Sequence, residues 1–110
     1  MATRSIVTTK IDSKFIATYI HWDGHPNYRL PILHKYYGSK EKAIALCKSG
    51  YISDLKESLQ ESLGTVPIHN SNIAPMEFDN EIELENEAYD LDCQYLYQFF
   101  ENGWRWKKTN

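Results

Sequence analysis

Residues 21–25 read His-Trp-Asp-Gly-His. Two imidazoles and a carboxylate this close could bind a divalent cation or pass a proton. Side chains alternate along a strand, so His21, Asp23 and His25 would share one face of an extended chain. Nitrogen and oxygen ligands of that kind suit a transition metal. Asp23-Gly24 is a turn-forming pair, however, so His25 need not stay on that face. His34 and His69 are scattered and complete no ligand set. We therefore expect no metal and no cofactor. An Asp near a His can also orient an imidazole as a general base. A small hydrolase using His21 and Asp23 would further need a nucleophile, and the chain has no GxSxG, P-loop or activated-cysteine motif. The expectation is no catalytic residue and no enzyme. In the plainer reading Asp23 accepts backbone bonds in the turn, Trp22 packs against helices, and His21 is half-buried and hydrogen-bonded.

Arg4, Arg29, Lys35, Lys40 and Lys42 raise the possibility of anion binding, because guanidinium grips phosphate bidentately. Arg4 is the best placed, on a strand near the His21–Asp23 end. Trp104 and Trp106 share a strand face, as core cover or as a stacking platform.

These residues sit in a 110-residue chain, the size of one domain over 1–110. Aromatic residues make up 14% of it, enough to enrich a core or a binding face. Cys47 and Cys93 lie in apolar stretches without a CxxC pattern and are expected as buried free thiols of a reducing compartment. The N-terminal MATRSIVTT lacks a long apolar core, so no secretory leader is expected. No apolar run has the length of a membrane span. The net charge of −3 conceals an asymmetry: residues 57–104 hold eleven acids and no Lys or Arg. Direct nucleic-acid binding is disfavoured by that balance. The acidic segment 77–92 is a solvated face or a surface for a basic partner.

The elements that must position these groups follow from the pattern. TRSIVTT and KFIATYIHW read as two strands joined at Asp12-Ser13 into an antiparallel hairpin. Phe15, Ala17, Tyr19 and His21 take one face of the second strand. A short helix is predicted over about 29–37, with Pro31 in its first turn and Gly38 closing it. Ser39 caps a second helix that stops at Gly50. Leu55, Leu59 and Leu63 mark a third, starting at Ser53 or Asp54. Residues 64–80 read as loop. Residues 80–92 suit a strand with Glu81, Glu83 and Glu85 on its wet face, or a helix. CQYLYQFF-ENG-WRWKK is a second hairpin around Asn102-Gly103. The order β-β-α-α-(α)-(β)-β-β gives an α+β domain. We expect an antiparallel sheet of four or five strands with two or three helices on one face.

Several stretches, in order, resemble a family of small uncharacterised proteins of tailed bacteriophages and prophages. The family pattern is a Thr-Arg-Ser start, His-Trp-Asp-Gly-Tyr-Pro, a helical segment ending Gly-Asp-Ile-Ser-x-Leu, and a terminal Tyr-Leu-Tyr-x-Phe-x-(Asp/Asn)-Gly-x-Trp. Thr3, Arg4 and Ser5 match, as do His21, Trp22, Asp23, Gly24 and Pro26. Gly50, Ile52, Ser53 and Leu55 match, then Tyr95, Leu96, Tyr97, Phe99, Gly103 and Trp104. His25 replaces the Tyr, Tyr51 replaces the Asp, and residues 64–90 are shorter and more acidic than the family segment. The resemblance implies an accessory protein made in the host bacterial cytoplasm that acts by binding. It would inhibit or sequester a host factor, anti-phage defence included.

Arg4, His21, Trp22, Asp23 and Trp104 are therefore the expected ligand-binding residues, with the tryptophans as walls. The partner would be a host protein or a small anionic, nucleotide-like molecule. In an alternative reading Glu81, Glu83, Glu85 and Glu87 mimic nucleic acid and occupy a basic host protein. Aromatic edge strands make a homodimer conceivable.

Overall fold

A computed structural model describes residues 3–67, 73–101 and 103–109. It is an α+β domain with strands β1 (Ser5–Ile11), β2 (Lys14–Ile20), β3 (Tyr51–Ile52), β4 (Met76–Phe78), β5 (Tyr95–Phe100) and β6 (Gly103–Lys108). Its helices are α1 (Pro26–Tyr36), α2 (Lys40–Cys47), α3 (Leu59–Leu63) and α4 (Glu81–Asp90).

β1 and β2 form the expected hairpin, with Ile11 opposite Lys14. Asp12 and Ser13 both take positive φ, 49° and 74°. That left-handed pair is the two-residue turn whose twist matches the flanking strands. β5 and β6 pair antiparallel from Tyr95↔Lys108 to Phe100↔Gly103. Asn102, at that turn, and His69 lie outside the described residues.

The sheet is mixed, not antiparallel throughout. It has six strands in the order β3-β2-β1-β5-β6, with β4 also on β2. β5 runs parallel to β1, with Ser5 opposite Tyr95 and Thr9 opposite Phe99. β3 runs parallel to β2. The physical reason is the covering of the central strand. Ser5, Ile6, Val7, Thr8 and Thr9 are all buried, as in strands with helices on both faces. Thr8 satisfies its hydroxyl on the Ile16 carbonyl at 2.8 Å.

The helices likewise occupy both faces rather than one. One face carries Val7, Ile20, Ile52, Tyr97, Phe99 and Trp104 against Leu33, Tyr37, Ala43 and Leu46 of the α1–α2 region. The other carries Ile6, Phe15, Ala17 and Leu96 against Leu84 and Ala88 of α4. Residues 81–90 are thus a helix, not a strand. Asn80 caps it by accepting from the Glu83 N–H at 2.9 Å. The strand reading would set Ile82 beside Leu84. The helix instead buries Leu84 completely and leaves Ile82 70% exposed. The region expected as loop over 64–80 contributes β4, which pairs Phe78 with Phe15.

Two helix starts also differ from expectation. α1 begins earlier, with Pro26 in its first turn and His25 as N-cap, so Pro31 falls inside. α3 begins later, capped by Ser58. α2 begins as expected, with Ser39 Oγ accepting from the Lys42 N–H at 3.2 Å. Both cysteines are free and buried.

Candidate functional site

The segment after β2 is stitched down atom by atom. The His21 N–H donates to the Ile52 carbonyl at 3.1 Å and the Trp22 N–H to the Ser53 carbonyl at 2.9 Å. Asp23 then turns the chain at φ 55°. The Gly24 N–H donates to the Thr3 carbonyl at 2.8 Å, and its own carbonyl accepts from the buried Tyr97 hydroxyl. A Cβ on Gly24 would stand 2.6 Å from the Thr3 oxygen, so glycine is required there. The Arg29 guanidinium donates to the Trp22 carbonyl. Much of the His-Trp-Asp-Gly stretch is therefore explained by folding.

The side chains of this stretch divide. His21 lies on the α4 face of the sheet and meets Tyr19, whose hydroxyl is 2.9 Å from Nδ1. Burial pushes the Tyr19 phenol up to about 12, so it keeps its proton at neutral pH. Burial, and then the Arg4 charge, lower His21 below its ordinary value. The imidazole is thus neutral near pH 7. Tyr19 stacks on Tyr51 at 5.5 Å between centroids. Trp22 meets the His21 ring edge-on at 4.8 Å. It does not pack against the helices as expected; it is 46% exposed. Arg4 pairs with Asp92 at 3.5 Å, and its buried Nε has no partner among the described residues.

Asp23 belongs to a different place. It neither caps α1 nor, among the described residues, hydrogen-bonds to His21. The cap is His25, whose Nδ1 accepts from the Asn27 N–H at 3.1 Å. Asp23 lines a cavity of about 310 Å³ together with Tyr28, Arg29, Ile32, Asp54, Lys56, Glu57 and Glu61. Arg29 is only 1% exposed. Burial lowers its pKa to about 10, against the opposing pull of Tyr97, Asp54 and Asp23, and it stays protonated at neutral pH. By composition alone Arg29 is one of five candidate anion-binding cations. Its spacing carried the missing signal: Arg29, Leu33 and Tyr37 recur every four residues, one stripe of a helix that starts at Pro26.

Trp104 is far from the His21 group and does not line the Asp23 cavity. It pairs with Phe99, which pairs with Thr9, about 13 Å along β1 from Ser5. It is buried, with Nε1 donating to the Tyr37 carbonyl at 2.9 Å. The fold therefore brings Arg4, His21 and Trp22 together with Tyr19 and Tyr51, and separates Asp23 and Trp104 from them. Of the acidic set, Glu81 and Glu83 are exposed and Glu87 is half-buried. Glu85 is paired with Lys107. Among the described residues no three His, Cys, Asp or Glu side chains gather as a metal site, and no helix is long and apolar enough to cross a membrane. Comparison with protein-family models, with curated proteins and with solved structures gives no match.

Proposed function

We propose that this chain is a small phage-type accessory protein of the bacterial cytoplasm that acts by binding a host protein and inhibiting or sequestering it. The observation that carries this reading is the Trp22 indole, 46% exposed on a backbone fixed by hydrogen bonds. The indole meets His21, His21 meets Tyr19, Tyr19 stacks on Tyr51, and the Arg4 charge is felt at both His21 and Tyr19. Trp, Tyr and Arg supply most interface hot spots, and a preorganised backbone lowers the ordering cost of binding. A nucleotide-like ligand needs an enclosing pocket. The cavity next to Trp22 does not include Arg4 or His21 in its lining and carries four carboxylates. These features favour a macromolecular partner over a small anion. The outer strand carries Arg105, Lys107 and Lys108, charges of the kind that guard an exposed strand edge against a second copy.

The acidic-mimic reading keeps one specific support: Glu81 and Glu83 are exposed and have no ion-pair partner among the described residues. Affinity capture from host lysate, followed by titration with the purified partner, separates the readings. Trp22→Ala and His21→Ala should abolish capture, while Glu81→Gln with Glu83→Gln should not. The reverse pattern would establish the mimic. Calorimetric binding of a nucleotide, lost in Arg4→Ala, would restore the small-ligand reading, and turnover lost in His21→Ala would restore the hydrolase.

A further inference from the structure

The cavity beside Asp23 has an unusual charge arrangement. A guanidinium that is almost wholly buried forms part of its wall. Arg29 uses one N–H on the Trp22 carbonyl. Its Nε is buried without a partner among the described residues. That atom is closed to any ligand, so what the cavity can address is the guanidinium charge, which lines it without an ion-pair partner among the described residues. The natural acceptor for a planar guanidinium is a carboxylate. No ion pair to Arg29 is formed among the described residues, although Asp23 and Asp54 line the same cavity.

The rim has the opposite sign. Asp54 is neutralised by Lys56 at 2.9 Å. Asp23, Glu57 and Glu61 have no ion-pair partner among the described residues. A simple anion would meet three carboxylates on its way to one guanidinium. A simple cation would satisfy the rim and leave the Arg29 charge without a counter-ion. A ligand with an inner carboxylate and more than one outer positive charge satisfies both. Tyr28 and Ile32 supply an apolar wall for an aliphatic stem, and the Tyr28 ring can take a cation on its face. At about 310 Å³ the cavity is at the small end of ligand sites.

We propose that this cavity binds a basic α-amino acid, free or as the C-terminal residue of a peptide, with its carboxylate on Arg29 and its cationic groups against Asp23, Glu57 and Glu61. The site is independent of the Trp22 surface and stands without it.

Isothermal titration tests it, using L-arginine, L-lysine, agmatine and a tripeptide ending in arginine with a free or an amidated carboxyl. L-arginine, L-lysine or the free-carboxyl peptide should bind saturably. Agmatine, which lacks the carboxylate, and the amidated peptide should bind at least about tenfold more weakly. Binding of the free amino acid points to a metabolite, and binding of the peptide alone to a protein terminus; either supports the site. Arg29 variants can fail to fold, so the protein arm is Glu57→Gln with Glu61→Gln, both exposed. That double variant should keep its melting temperature and lose at least about threefold in affinity. The proposal is overturned by no saturable binding from any carboxylate-bearing probe, by agmatine binding as well as L-arginine, or by unchanged affinity in the double variant.

Discussion

Arg29 holds the main-chain carbonyl of Trp22 from inside the fold while the Trp22 indole stays half exposed outside it. The residue that fixes the backbone and the residue that offers the contact surface are thus separable by mutation. Arg29→Met should cost about 1–3 kcal/mol, because it leaves a part-buried carbonyl without its donor. Trp22→Ala should cost less than about 1 kcal/mol, because much of its side chain is already in water. Urea unfolding of the two variants checks the contrast, and equal losses would contradict it.

Gly24→Ala is expected to destabilise by about 1–3 kcal/mol, with the backbone at Thr3 forced to move. The added Cβ would lie 2.6 Å from a carbonyl oxygen, which cannot swing aside as a side-chain tip could. Tyr97→Phe, which removes only the hydroxyl on the Gly24 carbonyl, should lose about 1 kcal/mol. Thermal denaturation reports both.

His21 titrates below its ordinary value of 6.5, first through burial and then through the Arg4 charge. The unfolded chain therefore takes up this proton first. The stabilising contribution of neutral His21 is complete above about 6.5 and is lost as pH falls through 6.5 toward the folded value. In the wild type, the urea midpoint should fall on that acid side more steeply than in His21→Gln. Arg4→Gln should raise the His21 value in an NMR titration; an unchanged value would remove Arg4 from its surroundings.

Cys47 and Cys93 should both resist thiol reagents while the protein is folded. Burial raises Cys47 strongly and Cys93 to about 12, and thiolate is the reacting form. Labelling should follow unfolding and accelerate with added urea. Immediate reaction of either thiol in the native protein would contradict its burial.

The local elements were legible because local signals specify them: Asp12-Ser13 between β-branched runs, Ser39 before an apolar helical run, and the aromatic terminal strands. The parallel joining of β1 and β5 was not, because hairpin signals say nothing of which hairpin lies beside which. Only Ile6 and Val7 of Ser5–Thr9 are apolar, so the burial of all five residues on a doubly covered strand does not show in the pattern. In residues 81–90 the alternating glutamates imitated a strand, and the four-residue spacing of Leu84 and Ala88 was the competing signal that prevailed. Of the candidate site, Arg4, His21 and Trp22 came together as neighbours in the sheet register. Asp23 and Trp104 did not, because a left-handed turn at one and strand register at the other carried them elsewhere.

The pairing of β1 with β5 also sets a schedule. Thr9 donates to the Phe99 carbonyl across 90 positions of sequence. On a ribosome the first hairpin is finished early, yet one edge of its inner strand stays open until the last strands emerge. At about 5–20 residues per second, that interval is roughly 5–20 s. Through it the nascent chain presents an unpaired, apolar strand edge, the feature most prone to pair with the wrong neighbour.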